Sequence, residues 1–381
     1  MPVKFTSEQN AFREAISEFA ERECGTMEQR HKLTAEGTEP TNMDIMRKLG
    51  ELGWTGVSVP EEYGGAGGTV VDQTIFLEGI AKGMIPAAGF GTTAIVQGAY
   101  ERHGTEEQKQ NILGGICAGN VEAIVMSEPG AGSDVGSLTC KADKVDGGYV
   151  INGQKTWCSN APIASNILTI VRTDNEGPKH EGITMLGVPA GTEGMEIHPI
   201  PTLAGPHEVN DVFFTDCFVP DTALLGEAGK GWMQLMTGLN SERIILSGMY
   251  LGIAQRAFDD TLSYVKEREQ FGKPIGTFQA LKHRIADMAT ELECLRLLIY
   301  DIAQAIDEDP NRVFAKEASM AKLKSTEVAK QISLEGMQMM GGYGYALEYD
   351  MEKHVRAGLV GTIFAGTSEI QREIIGATLG L

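Results

Sequence analysis

Residues 149–190, YVINGQKTWCSNAPIASNILTIVRTDNEGPKHEGITMLGVPA, decide the fold class. Three runs in this stretch, YVING, SNILTIV and GITMLGVPA, are rich in β-branched and aromatic residues. Asn, Asp, Gly and Pro punctuate them. AIVM (123–126) leads into the stretch and DVFFTDCFVP (211–220) follows it in the same texture. Short runs bounded by turn residues read as strands. No helical period separates one from the next, so the pattern predicts an antiparallel β domain over 123–230 and not alternating βαβ units.

On both sides the period changes. Phe12, Ile16, Phe19 and Ala20 recur at helical spacing with acids between them, and Thr6 with Gln9 forms a candidate capping box, Ser7 being an equal candidate cap. Met43–Leu52 repeats the pattern until Pro60 and the Gly64–Gly68 cluster break it, and residues 72–100 and 105–118 read as helical again. After residue 231 long helices are expected over Ile244–Arg268, Leu281–Ile306 and Ser368–Leu379, with a turn at Asp309–Pro310–Asn311. The expected architecture is therefore α+β and multidomain: a helical domain over 1–122, a β domain over 123–230 and a helical domain over 231–381. No internal repeat is apparent.

A chain of 381 residues with 42% hydrophobic and 22% charged residues can bury sizeable cores. Its net charge of −20 argues against a nucleic-acid partner, which would lack the main electrostatic attraction. The six cysteines form no CxxC pair and read as free thiols in a reducing compartment. The seven histidines form no metal-ligand pair. The acidic, amphipathic N-terminus resembles neither a signal nor a transit peptide, and no run is long enough to span a bilayer, so a soluble cytoplasmic protein is expected.

Several segments are candidates for chemistry, each with a plain alternative. SEPGAGSDVGSL (127–138) mimics part of a dinucleotide fingerprint, but Pro129 precedes its glycines and no helix signal follows. It reads as a Gly-rich loop whose amides could approach a polar ligand, or as a simple connection. Trp157 in NGQKTWCSN (152–160) could cover a flat ring, with Ser159 bonding a heteroatom; the alternative is a core indole with a surface Ser. Glu242 opens an apolar run through Ile244, Ile245, Leu246, Met249, Leu251 and Ile253. There it could be a desolvated base, or a carboxylate favouring the positive end of a helix. Arg243 beside it could pair with a phosphate or sit at the surface. REQFGKPIGTFQ (268–279) reads as a helix–turn segment, and the glycines of MQMMGGYGY (337–345) follow a helix. Thr367 and Ser368 of FAGTSEIQRE (364–373) stand at a helix start, as an anion contact or an ordinary cap.

In order and spacing, SEPGAGSD, NGQKTW, REQFGKPIGTFQ, GGYGY and GTSEIQRE make the chain resemble the acyl-CoA dehydrogenase family over nearly its whole length. The resemblance implies an N-terminal helical domain, a middle antiparallel β-barrel and a C-terminal four-helix bundle, assembled as a homotetramer, a dimer of dimers. It implies FAD as cofactor. Met126, Ser127, Trp157 and Ser159 would line the flavin. Arg268, Phe271 and Gln279 would reach the FAD of a partner subunit. Gln338 and Gly342 would meet the cofactor's pyrophosphate or adenosine part, and Thr367 and Glu369 would contact the FAD near the last helix. Ser133, Asn240 and Arg243 match positions that contact the CoA part of a thioester.

One position departs from the common pattern. Many members carry the catalytic Glu directly before the Gly-Thr of the last motif, where this chain has Ala365. In the isovaleryl-CoA and long-chain enzymes the Glu lies on an earlier helix, at the position Glu242 occupies here. The resemblance then implies α,β-dehydrogenation of an acyl-CoA to the trans-2-enoyl-CoA, as in fatty-acid β-oxidation. Glu242 would take the α-proton, the flavin N5 would accept the β-hydride, and electrons would pass to an electron-transfer flavoprotein. The Ala365 amide would bond the thioester carbonyl. An acyl-CoA oxidase, an enoyl-CoA reductase and a noncatalytic CoA-binding subunit remain as alternatives. Phe364 is larger than the Gly of the isovaleryl-type enzymes, which weighs against, without excluding, a branched short-chain substrate.

Overall fold

A computed structural model describes residues 3–310 and 312–381. Six helices come first: α1 (Ser7–Cys24), α2 (Met27–Leu33), α3 (Met43–Glu51), α4 (Val70–Lys82), α5 (Gly89–His103) and α6 (Glu106–Cys117). Eight strands follow: β1 (Ala123–Val125), β2 (Lys141–Val145), β3 (Gly148–Ser159), β4 (Asn166–Arg172), β5 (Ile183–Pro189), β6 (Met195–Thr202), β7 (Gly205–Pro220) and β8 (Leu224–Leu225). Then come α7 (Gly231–Glu267), the short strands β9 (Glu269–Gln270) and β10 (Lys273–Pro274), α8 (Gln279–Glu308), α9 (Ala315–Met340), α10 (Met351–Gly361) and α11 (Ser368–Thr378). The order α, β, α is the one expected. Asn311, the last residue of the expected turn, lies outside the described residues.

Local chemistry explains where the first helices begin. Thr6 caps α1 in a reciprocal box, its Oγ1 accepting from the Gln9 amide at 3.1 Å while the Gln9 Oε1 accepts from the Thr6 amide at 3.1 Å. The same T-x-x-D/Q device opens α4 at Thr69–Asp72 and α6 at Thr105–Gln108. Residues 72–100, read as one helical stretch, form parts of two helices: Gly83 ends α4, Met84 adopts a left-handed φ of 51°, and Pro86 stands in the link before α5.

The chain forms two compact units, one of Met1–Arg30, Thr69–Ile85 and Arg243–Leu381, the other of His31–Gly68 and Pro86–Glu242. The second unit is built on the sheet, ordered β6-β7-β3-β2-β4-β5-β8, with β1 added beside β4. The expected antiparallel pairing holds for most neighbours. The exceptions are β1, which runs parallel to β4 from Ala123↔Ile167 to Val125↔Thr169, and β2, which meets β4 in a parallel contact at Lys141↔Arg172. β4 is buried along its whole length because it is covered on both faces. Ile167 and Val171 join a core with Ile151, Leu186, Val188, Val212 and Val219, while Leu168 and Ile170 join another with Val96, Leu113, Ile116, Ile183 and Met185. Each such aliphatic contributes about 1.5–3 kcal/mol relative to exposure.

This unit also buries an acid. Glu122, just before β1, is 1% exposed. Its amide donates to Thr93 Oγ1 at 2.9 Å and its carbonyl accepts from Thr92 Oγ1 at 2.8 Å, but its Oε2 finds no partner among the described residues. Burial pushes the Glu122 carboxyl up to about 8, against hydrogen bonding from Asn166.

In the first unit α9 carries much of the packing, burying Ala318, Ala321, Val328, Ala329 and Ile332. Glu78 of α4 accepts from Arg296 and Tyr300 of α8, and Arg30 pairs with Asp350. Among the described residues no helix is long and apolar enough to cross a membrane.

Candidate functional site

In the unit that holds the sheet, the Gly-rich loop is clamped to β3. Lys155 Nζ lies 2.8 Å from Glu128 Oε1 and donates to the Met126 carbonyl at 2.9 Å, with both side chains of the ion pair buried. Glu128 Oε2 accepts from the Thr139 amide at 2.7 Å, and its Oε1 from the Cys140 amide at 2.8 Å. Burial works to raise the Glu128 carboxyl, but the Lys155 ammonium and these hydrogen bonds hold it below its ordinary value. The Thr156 amide donates to the Ser127 carbonyl at 3.0 Å. Met126 and Ser127 are thereby fixed beside the strand that carries Trp157 and Ser159. Arg172 holds the next part of the loop, donating to the Gly136 carbonyl at 2.7 Å. Ser133 lies exposed between these anchors.

Trp157 is not the core indole of the plain alternative. The pairing of β3 with β7 shifts register between Lys155 and Cys158, and Trp157, inside that bulge, has a φ of 62°. A bulge re-aims the extra residue. Here it leaves the ring 58% exposed while Cys158 beside it is buried. The loop glycines Gly130 and Gly132 border open space, since an added Cβ would meet nothing within 4 Å. An exposed indole and an uncrowded loop with half-buried Ser127 and Ser159 fit a large planar ligand such as an isoalloxazine ring.

Glu242 does not stand at a helix start. Helix α7 begins at Gly231, so Glu242 lies about three turns inside it, beyond the reach of the positive helix end. Residues 231–243 carry two glycines, Gly231 and Gly238, and an irregular polar pattern, which hides the helix from sequence reading. The Glu242 side chain is 8% exposed, and its Oε1 lies 3.5 Å from Arg102 Nη2 of α5. Asn240 is half-buried on the preceding turn.

In the other unit, Phe364, Ala365, Thr367 and Glu369 gather where α10 turns into α11. Ala365 has a φ of 51° and Gly366 one of 79°, so two successive residues are left-handed. Two buried side chains hold that turn. Lys322 Nζ donates to the Gly361 and Gly366 carbonyls at 3.0 and 2.7 Å, and Gln371 Nε2 donates to those of Ala365 and Gly366 at 3.2 and 3.1 Å. Burial pushes Lys322 down to about 8; Arg243 acts in the same direction and Glu369 against it. Among the described residues no protein acceptor takes the Ala365 amide. Thr367 caps α11, its Oγ1 accepting from the Ile370 amide. Its hydroxyl and the Glu369 amide bond the exposed Glu369 carboxyl and hold it below its ordinary value. Thr367, Ser368, Glu369 and Arg372 edge an open crevice of about 560 Å³.

The remaining expected residues lie apart from that crevice's lining. REQFGKPIGTFQ is a tight hairpin, not a helix–turn: β9 and β10 pair through Phe271 and Gly272, with φ of 53° and 78°. Two left-handed residues make the turn that matches strand twist, and they leave Phe271 92% exposed. Arg268 stacks over Tyr343 at 5.4 Å, which brings the hairpin to the Gly341–Tyr345 turn that contains Gly342 and follows Gln338. Gln279 opens α8. Sequence reading missed Lys322, Gln371, Arg102 and the Glu128–Lys155 pair. Glu128 and Lys155 stand within the two quoted motifs, so an unmatched acid and base were visible there; Arg102 carries no local signal.

Three family models cover the chain: the acyl-CoA dehydrogenase N-terminal domain over 6–120, the middle domain over 123–217 and the C-terminal domain over 229–380. The mitochondrial isovaleryl-CoA dehydrogenase of Solanum tuberosum is 37% identical over 98% of this chain and 91% of its own length. The caffeyl-CoA reductase-Etf complex subunit CarC of Acetobacterium woodii is 34% identical over 98% of this chain and 99% of its own. Among solved structures, an acyl-CoA dehydrogenase from Geobacillus kaustophilus superposes with a TM-score of 0.91 at 33% identity, covering 100% of both chains. An FAD complex of PigA superposes with a TM-score of 0.89 at 27% identity, again over 100% of both. The chain belongs to the acyl-CoA dehydrogenase family of oxidoreductases, three-domain enzymes of mixed helical and β architecture whose cofactor is FAD.

Proposed function

We propose that this protein oxidises the Cα–Cβ bond of an acyl-CoA thioester to the trans-2-enoyl-CoA, with Glu242 as the base that takes the α-proton. The observation that carries the reading is the burial of Glu242 within a helix whose neighbours Ile244, Ile245 and Leu246 are themselves buried. A carboxylate in such a place costs folding free energy, and proton abstraction beside a thioester is a use for that cost. Bound FAD supplies the acceptor for the β-hydride. The Ala365 amide, held by the Lys322 and Gln371 clamps, donates to a carbonyl oxygen on which enolate charge develops. Trp157, Met126, Ser127 and Ser159 seat the flavin ring, and Thr367 and Glu369 bind the cofactor further along. Ser133, Asn240 and Arg243 contact the CoA part.

Phe364, 6.0 Å from the Tyr250 ring, supports a chain without a branch near the thioester, whereas the isovaleryl-CoA dehydrogenase relative supports a branched one. Electron-transfer flavoprotein as acceptor is supported by the Acetobacterium woodii relative, a subunit of a caffeyl-CoA reductase-Etf complex. The same relative supports a second reading, reduction of an enoyl-CoA by the same residues in reverse. A homotetramer in which Arg268, Phe271 and Gln279 reach a neighbouring subunit's FAD, with Gln338 and Gly342 at the cofactor's pyrophosphate or adenosine part, is supported by the exposure of Phe271.

The test is anaerobic titration of the purified holoprotein with straight, branched and aryl acyl-CoAs, following the flavin absorbance, for wild type and Glu242→Gln. Wild type should be bleached by at least one saturated thioester, and Glu242→Gln should keep FAD and lose nearly all turnover. Wild-type rates in Glu242→Gln would remove the base assignment. A flavin that no saturated thioester bleaches would favour the reductase.

A further inference from the structure

The geometry points to Arg102 as a positioning residue for Glu242, seated in a slot that Gly98 and Gly238 open by having no side chains. This inference rests on the reading of Glu242 as the base. Arg102 lies in the last turn of α5 and its side chain is one-third exposed. Its Nη2 stands 3.5 Å from Glu242 Oε1. Gly98 precedes Arg102 by four residues on α5, and Gly238 precedes Glu242 by four on α7. Residues at that spacing share a helix face.

Both glycines border the guanidinium. A Cβ on Gly238 would fall 1.7 Å from Arg102 Nη2, 2.5 Å from its Cζ and 2.9 Å from Glu242 Oε1. A Cβ on Gly98 would fall 3.0 Å from Nη2 and 3.1 Å from Nη1. Glycine inside a helix is disfavoured relative to alanine, so two of them in contact with one guanidinium need a reason. The slot supplies it, because any side chain at 238 would displace the arginine from the carboxylate.

The same face of α7 carries a second tie to α5. His103 Nε2 lies 3.1 Å from the Gln234 carbonyl, and Gln234, Gly238 and Glu242 follow one another at four-residue steps. The end of α5 is therefore registered against α7 at two successive points. A guanidinium engaging Oε1 restrains rotation of the carboxylate and fixes its direction, which a base acting on carbon requires to within a fraction of an ångström. The planar fork suits this task better than a flexible ammonium.

The experiment compares Arg102→Gln, Arg102→Lys, Gly238→Ala and Glu242→Gln as FAD-loaded holoproteins, reading flavin content, kcat and KM with the acyl-CoA that wild type turns over. Arg102→Gln should lower kcat by at least tenfold with KM changed by less than about threefold and FAD retained. Arg102→Lys should recover part of that loss. Gly238→Ala should follow Arg102→Gln in direction, although alanine favours the helix, because its methyl evicts the guanidinium. If Arg102→Gln and Gly238→Ala both keep kcat within twofold of wild type while Glu242→Gln is inactive, the positioning role is overturned and the base assignment stands. A rise in KM alone would also overturn it, by making Arg102 a substrate-binding cation. If Glu242→Gln itself keeps wild-type turnover, the underlying reading fails whatever Arg102 does.

Discussion

Replacing Glu122 by Gln removes a proton-binding group whose properties the fold has shifted far from ordinary. The carboxyl moves from 4.5 to about 8 because it is desolvated, against hydrogen bonding from Asn166. A group whose folded value is raised binds its proton more tightly in the folded state, so its contribution is fully present below about 4.5 and is lost as pH rises through about 8. Within that window the slope is about 1.4 kcal/mol per pH unit. Between about pH 5.5 and 7.5 wild type should therefore lose roughly 2.5 kcal/mol through this one residue. Glutamine has nearly the same shape and does not titrate, so Glu122→Gln should not suffer the loss. All other titrating groups are common to both proteins and cancel in the comparison. Thermal unfolding of the two holoproteins at both pH values reads the effect. For a unit of this size the midpoint advantage of Glu122→Gln should grow by about 5–10 °C from the lower to the higher pH. Parallel pH dependences would refute the argument and show that the carboxyl is ionised in the folded protein, with partners the hydrogen bonds above do not reveal.

Two further outcomes follow from the clamps. Glu128→Gln leaves Lys155 buried without its carboxylate and should lower stability by about 3–5 kcal/mol, whereas Glu128→Gln combined with Lys155→Met should cost less than that single change, as measured by chemical denaturation. Ala365→Gly relieves a left-handed φ and should leave the melting temperature unchanged or slightly higher. Ala365→Val forces a β-branched side chain into the same φ and should cost roughly 1–3 kcal/mol.

Much of the fold was legible because its causes are local. Thr6, Thr69 and Thr105 declare their helices through partners three residues away, and the runs around Ile151, Leu168 and Leu186 declare strands by composition. What stayed hidden depends on distant pairing. Trp157 is turned outward by a register shift against β7, whose residues lie more than fifty positions later. The start of α7 could not be seen because its glycines serve tertiary contacts, Gly238 against Arg102 among them, and not helix propensity. The left-handed turn at Ala365 is invisible without Lys322, forty-three residues earlier. The motif segments were readable as motifs, but the ion pair that fastens SEPGAGSD to NGQKTW was not, because nothing in either segment says which acid meets which base.

The turn at 364–367 carries an evolutionary consequence. Its shape is enforced from outside, by a buried ammonium and a buried amide that grip its carbonyls, and not by the side chain of residue 365. Within the limits its left-handed φ sets, the side chain at 365 is therefore replaceable on a fixed socket. Ala and Glu codons differ by a single nucleotide, so one mutation could place a carboxylate there without rebuilding the backbone that presents it. Such a change would leave Glu242 in place, so a chain with this turn could gain a second carboxylate before giving up the first.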